Sequence, residues 1–235
     1  MDIKLDTVYN CDCMELMEEM RRGGIIADWL IIDPPYGIKI DKMSFTKGGH
    51  TKNEKVAKRD YTSTKQWDRR ITKDYFDLMF AVSKNQIIFG GNYYTDILPP
   101  TANWIVWDKR CGITRNDFND CELAWCSTGG TRVFQYYYNG FAQGDMKNKD
   151  ERFHPTQKPT QIICQLLNYY TKQGDLILDG FMGSFTTAVA CNKLQRHFIG
   201  AELDKDYFEK GQKRLQTELK QKSIFDLACV LSEKI

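Results

Sequence analysis

Short, almost wholly apolar runs alternate along the chain with longer stretches whose apolar positions fall three and four apart. The runs are "ADWLIID" at 27–33, "QIIFGG" at 86–91, "DLILD" at 175–179 and "HFIGAEL" at 197–203. A strand buried on both faces reads as a continuous apolar run, so these are predicted central strands of a parallel sheet. "NWIVWDK" at 103–109 and "CELAWCS" at 121–127 read as two further strands, divided by a polar loop containing Gly112. Helical spacing predicts a helix over 72–84, where Tyr75, Phe76, Leu78, Met79 and Val82 share a face and Thr72 suits the N-cap. "TQIICQLLNYYTK" at 160–172 predicts another. Beyond Gly174 the order is strand, helix (184–194), strand, helix (204–220). This alternation predicts an α/β fold with a doubly wound, mostly parallel sheet, in one domain spanning 1–235. Residues 127–155 show no clear period.

Composition narrows the setting. Hydrophobic residues at 42% and charged residues at 27% are ordinary globular values. No apolar stretch approaches the ~18 residues of a membrane helix. The first residues, "MDIKLDTVYNCDC", have neither the basic nor the apolar region of a secretory signal. A soluble cytoplasmic protein, without a membrane partner, is expected. The eight cysteines form no C-x-x-C pair and have no zinc spacing, so they are expected to be reduced, with no metal bound.

The net charge of +2 is small, but its distribution is uneven. Residues 38–73 carry eleven Lys/Arg against four Asp/Glu with few aliphatic residues. A basic loop of this kind suits a phosphate backbone. It also suits plain solvation.

That loop leaves directly from "LIIDPPYGI" at 30–38. Asp33 falls where the apolar run stops. Pro34 and Pro35 fix φ and lack an N–H, so no sheet ladder passes through them. The expected result is a rigid acidic turn at the carboxyl end of a strand, where open α/β sheets bind ligands. A second turn, "DGFMGSFTT" at 179–187, joins a strand to a helix and contains glycine, so a ligand can approach its backbone. It matches neither the G-x-G-x-x-G nor the G-x-x-x-x-G-K-[ST] template. Glu202 ends the next strand, where an acid can accept from both hydroxyls of a ribose. A nucleoside without a pyrophosphate is the reading.

Together, "DPPYG", "HPTQKP" at 154–159, "DGFMGSFTT" and "FIGAELDKDYF" at 198–208 resemble the signature blocks of DNA amino-methyltransferases. "NCDCMEL" at 10–16 resembles the short acidic segment before the catalytic strand of that family. The order, catalytic block before cofactor block, matches its permuted β group. The resemblance implies a Rossmann-like fold, S-adenosylmethionine as cofactor, and methylation of the exocyclic nitrogen of adenine or cytosine in double-stranded DNA. The target base would be flipped out of the duplex. It further implies catalytic roles for Asp33, Pro34, Pro35 and Tyr36. Asp33 and the Pro34 carbonyl would accept the amine's N–H groups, and Tyr36 would stack on the base. Cofactor contacts are expected from Asp12 and Cys13 at the adenine end, Glu202 at the ribose, and Phe181, Gly183, Ser184 and Thr186 around the methionine part. Asp33 and Asp179 also belong to that set, and Lys158 is expected near the cofactor's carboxylate.

D-P-P-Y is commoner in the adenine enzymes of the family, so N6 of adenine is expected over N4 of cytosine. Ring-carbon methylation is disfavoured because the chain has no Pro-Cys pair. Two positions depart from the family's D-P-F-x-G-S-G-T-T loop: Gly180 replaces proline and Phe185 replaces glycine. Phe185 is expected to be accepted by a local variant of the loop, with Phe185→Gly tolerated. If it is not accepted, the chain is a degenerate nucleic-acid-binding protein. An RNA substrate is a third reading. Target recognition falls at 127–153 by the same resemblance. There Phe134, Tyr136, Tyr137 and Tyr138 beside Arg132 suit either stacking on displaced bases or a half-buried strand. Because this region is short, base reading is expected to be shared with the 38–73 loop or with a second copy in a homodimer.

Overall fold

The computed structural model describes residues 2–38, 69–113, 119–139, 142–147, 149–154 and 156–232, with side chains up to residue 220. Most of the basic loop expected over 38–73 therefore lies outside the described residues. Among the described residues eight strands form one sheet: β1 (Thr7–Tyr9), β2 (Ala27–Ile32), β3 (Ser83–Phe89), β4 (Trp104–Asp108), β5 (Cys121–Cys126), β6 (Arg132–Gln135), β7 (Leu176–Asp179) and β8 (His197–Ala201). Their order is β1-β8-β7-β2-β3-β5-β4-β6. All neighbours pair in parallel except β3 with β5 and β5 with β4, so β5 alone runs against the rest.

The α-helices of the described residues cover the sheet: α1 (Cys13–Arg22), α2 (Lys73–Ala81), α3 (Thr160–Tyr170), α4 (Thr186–Lys193) and α5 (Lys205–Ser232). Alternate residues of the central strands serve opposite faces. Trp29, Ile31, Ile87, Phe89, Ile177 and Phe198 pack with Ile163 and Leu166 of α3, Val189 of α4 and Leu215 of α5. Leu30, Ile32, Ile88, Leu178 and Ile199 pack with Leu16 and Met17 of α1 and Phe76 and Met79 of α2. Both faces of the sheet are thus dry, which explains the continuous apolar runs.

The expected central strands and helices are present, with shifted ends. α4 starts at Thr186 rather than 184 because Phe185 has φ +61°, a left-handed conformation that no α-helix continues. α5 runs on to Ser232, and β3 begins at Ser83. Thr72 occupies the N-cap of α2, but its hydroxyl donates to the Asp74 carboxylate instead of accepting a backbone N–H. β1 and β6 are short edge strands that the apolar pattern does not announce. The chain turns back at β2 and β7, whose neighbours lie on opposite sides of the sheet. Their adjacent carboxyl ends form the switch point where such sheets take ligands.

Candidate active site

Asp33 follows β2 and Asp179 ends β7, and both open into one pocket. Ile31, Phe89 and Ile163 form its apolar floor, and Phe181, Met182, Gly183 and Ser184 of the β7–α4 turn form one wall. His154, Thr156, Gln157 and Lys158 form the other.

The acidic turn is held from several sides. The Tyr94 hydroxyl donates to the Pro35 carbonyl at 2.5 Å. The Tyr36 hydroxyl donates to Asp33 Oδ1, and the Lys158 ammonium pairs with Asp33 Oδ2. The Tyr36 ring stacks on Tyr93 at a centroid distance of 4.7 Å, and its other neighbour is Gly90, where a Cβ would overlap the ring. In this conformation Tyr36 therefore serves Asp33 and is already stacked. Burial and the adjacent Asp33 carboxylate push its phenol well above its ordinary pKa, so it stays a neutral donor.

Lys158, expected near a cofactor carboxylate, lines the pocket and is held by two protein carboxylates. Its Nζ lies between Asp33 and Glu122, 3.6 Å from Glu122 Oε2, and sits 4.5 Å above the centre of the Phe89 ring. Burial opposes its charge, but the Asp33 and Glu122 carboxylates outweigh that and raise its pKa. Glu122 Oε1 also accepts from Lys109 Nζ at 3.1 Å. Against the opposing effect of burial, the two lysines hold the Glu122 acid below its ordinary range. Glu122 and Lys109 are absent from every sequence motif. The weak signal for Glu122 is an acid inside an otherwise apolar strand.

On the other side, the Gly183 N–H donates to Glu202 Oε2 at 2.6 Å, and the Asp204 N–H to Oε1 at 2.8 Å. A carboxylate has further lone pairs, so Glu202 keeps acceptor capacity. Gly183 has φ +50° and turns the backbone close beneath the His154 ring. Burial and the Arg152 charge lower the His154 pKa to about 4, so the imidazole is neutral at physiological pH. Asp179 accepts the Phe181 N–H at 2.9 Å. Burial first, then the Asp33 and Glu202 charges, push the Asp179 pKa up to about 7. Asp12 caps α1 by accepting the Met14 N–H at 2.7 Å. Buried Cys13 faces Gly180, where a Cβ would come within 2.9 Å of the Cys13 Cβ. This close packing accounts for glycine rather than a larger residue at 180.

Phe185 keeps the left-handed backbone that its position demands, and its ring leaves the pocket altogether. It is fully buried beside Phe208, and a Cβ on Gly211 would overlap it. The departure from glycine is thus absorbed between α4 and α5. The expected tolerance of Phe185→Gly does not extend to stability, because deletion of the ring leaves a cavity. A further anchor was not foreseen. Arg214 donates to the Ser184 carbonyl (2.9 Å), Thr186 Oγ1 (3.0 Å), Thr160 Oγ1 (2.8 Å) and Asp150 Oδ1 (2.9 Å), tying the turn to the start of α3.

The expected recognition aromatics pack on protein. Phe134 lies against Tyr169 and Tyr170, Tyr138 lies against Trp107, and Arg132 Nε donates to the Tyr169 hydroxyl at 2.6 Å. Of the two readings, the half-buried strand describes Phe134 in β6. Arg70, at the end of the basic stretch, pairs with Asp96 and donates to the Tyr93 carbonyl. Among the described residues no His/Cys/Asp/Glu group could hold a metal ion, and no helix is long and apolar enough to cross a membrane.

The N6/N4 methyltransferase family, described as DNA methylase, matches residues 50–213. The chain belongs to this DNA methylase family. The type II methyltransferase M2.MboI of Moraxella bovis is 26% identical to this methylase over 94% of each chain. M2.DpnII of Streptococcus pneumoniae, also a type II methyltransferase, is 42% identical over 32% of the methylase and 29% of its own length. Among solved structures, the M1.HpyAVI–SAM complex aligns with TM-score 0.57 at 23% identity, covering 89% of the methylase and 99% of that chain. The cytosine-N4-specific PvuII DNA methyltransferase aligns with TM-score 0.52 at 16% identity, covering 88% and 84%. At these identities the structures establish a shared fold.

Proposed function

We propose that this DNA methylase transfers a methyl group from S-adenosylmethionine to the exocyclic N6 of adenine in double-stranded DNA. The observation that carries the reading is one pocket shared by the D-P-P-Y acid, Asp33, and the β7–α4 turn. D-P-P-Y supports adenine over cytosine through the resemblance to adenine enzymes.

The residues fit the methyl donor. Asp179, buried with a pKa raised to about 7, is an acid whose charge lacks a cation among its named partners. The donor is cationic at its sulfonium and α-ammonium groups and would relieve that cost. Glu202 retains acceptor capacity for the ribose, and Gly183 and Ser184 bring backbone to the pocket wall. Phe181 and Thr186 line the same pocket, and Cys13, next to Asp12 at the start of α1, packs against Gly180 of the turn.

When bound, S-adenosylmethionine supplies a methyl group made electrophilic by sulfonium. The protein's task is to present the amine. An exocyclic amine is a poor nucleophile because its lone pair is delocalised into the ring. Asp33, accepting one N–H, and the Pro34 carbonyl, accepting the other, would draw the nitrogen toward tetrahedral geometry. The prolines and the Tyr94–Pro35 hydrogen bond hold these acceptors still, and small misplacements from attack geometry are costly. Asp33 is also the acceptor for the proton the amine sheds after transfer.

The test is incorporation of labelled methyl from S-adenosylmethionine into unmethylated genomic DNA and into transcribed RNA, followed by nucleoside chromatography. N6-methyladenine from DNA is expected. N4-methylcytosine would overturn the base assignment, and label in RNA alone would overturn the substrate. Asp33→Asn is expected to lower the rate by about a hundred- to ten-thousandfold with an unchanged melting temperature.

A further inference from the structure

Two donors already occupy the acid at the centre of the site. Tyr36 holds Asp33 Oδ1 and the Lys158 ammonium holds Oδ2; each oxygen keeps a further lone pair, but the paired cation weakens Asp33 as an acceptor and as a base, so it meets the target amine at full strength only when Lys158 draws back. The Tyr36 phenol is fixed by stacking on Tyr93 and by the close approach of Gly90. Lys158 has somewhere to go. Its ammonium lies 3.6 Å from Glu122 Oε2, just beyond hydrogen-bond reach, while Glu122 Oε1 is held at 3.1 Å by Lys109. The four groups form a line of alternating charge, Asp33, Lys158, Glu122 and Lys109, drawn from the loop after β2, the segment before α3, the start of β5 and the end of β4. Lys158, at 10% exposed, is the most buried of the four, and Glu122, at 35%, the most open.

We infer that Glu122 is a positioning residue: it provides a second docking point to which the Lys158 ammonium moves when the target amine engages Asp33. The movement is short, because Lys158 exchanges one carboxylate for another without leaving the Phe89 face. It avoids the main cost of releasing a buried lysine, which is a charge left unpaired. Lys109 keeps Glu122 oriented and stays with it throughout. The inference rests on the reading of Asp33 as the amine's acceptor, and it assigns to this reaction an acid that lies in none of the sequence motifs.

Two measurements test it, one of them independent of turnover. In the free protein labelled with ¹⁵N-lysine, the Lys158 Nζ signal is assigned by its loss in Lys158→Met. The signal is expected to persist in Asp33→Asn, with the ammonium held by Glu122, and to vanish by solvent exchange in Asp33→Asn/Glu122→Gln. Loss of the signal already in Asp33→Asn would overturn the docking point. In turnover, Glu122→Gln is expected to lower kcat about tenfold or more, since Lys158 then has no alternative partner. The KM for S-adenosylmethionine and for DNA is expected to stay within about twofold. In a Lys158→Met background Glu122→Gln should cost nothing further, because the two act as one unit. An unchanged kcat, or equal costs in both backgrounds, would overturn the role. If the wild type transfers no methyl group at all, the proposed function fails while the lysine signal still decides the docking point.

Discussion

The Phe185 ring occupies the space where a Cβ on Gly211 would lie, so a left-handed phenylalanine on the β7–α4 turn is fitted to a glycine on α5. Gly211→Ala is expected to destabilise the protein by about 1–3 kcal/mol through overpacking. In a Phe185→Ala background the sign reverses. The space is then open, and alanine's better helix propensity should contribute up to about 1 kcal/mol. Urea denaturation of the four proteins in the cycle checks this, and additive effects would refute it.

Phe185→Gly loses a fully buried ring, at about 3–5 kcal/mol, and relieves about 1–2 kcal/mol of left-handed strain. Net destabilisation of about 1–4 kcal/mol is expected. Because glycine takes φ +61° freely, the turn keeps its path. Calorimetry on the folded variant should therefore find an S-adenosylmethionine affinity within about twofold of wild type. A large loss of affinity would place the ring in the binding site after all.

Asp179 gives the site a pH dependence. Its folded pKa is raised to about 7, above an unfolded value of ~3.9. The folded state therefore holds the extra proton between about pH 4 and pH 7, and this contribution to stability is lost as pH rises through that window. Binding of a cationic donor favours the ionised acid, so affinity should increase from pH 6 to pH 8 with proton release at the lower end. His154, with a pKa lowered to about 4, titrates below this range. Calorimetry in buffers of different ionisation enthalpy measures the released proton, and Asp179→Asn should abolish the dependence.

Arg214 and Asp150 form a pair whose side chains are only 12% and 15% exposed. Loss of one partner strands the other, so Asp150→Asn or Arg214→Met should cost about 3–5 kcal/mol. The same arginine holds the Ser184 carbonyl, so KM for S-adenosylmethionine should rise in Arg214→Met even at temperatures where the protein is fully folded. Thermal melts and kinetics separate the two effects.

The large elements were legible because each central strand needs apolar residues on both faces. β2, β3, β7 and β8 carry that requirement in their own sequence. β1 and β6 were not, since three or four residues on an edge take their strand conformation from a neighbour rather than from pattern. Asp33, Asp179, Gly183 and Ser184 could be placed together from motif order, because strand ends meet at the switch point. Lys158 was expected at this pocket and lines it. Its second carboxylate neighbour, Glu122, was hidden because it comes from a strand whose direction no local pattern encodes. The outward course of Phe185 was equally hidden, because it depends on Gly211 of a different helix.

The reversal of β5 also shapes how the molecule can vary. A parallel strand is reached by a crossover whose length is tied to the width of the sheet, but β4 and β5 are joined as a hairpin. Their connection emerges on the same rim as Asp33, because β5 begins where β3 and β4 end. Each doubling of such a turn costs only about 0.6 kcal/mol in closure entropy. Residues can therefore be inserted between β4 and β5 without shifting the register of any strand, which makes that connection a natural place to graft new contacts on the rim that holds Asp33.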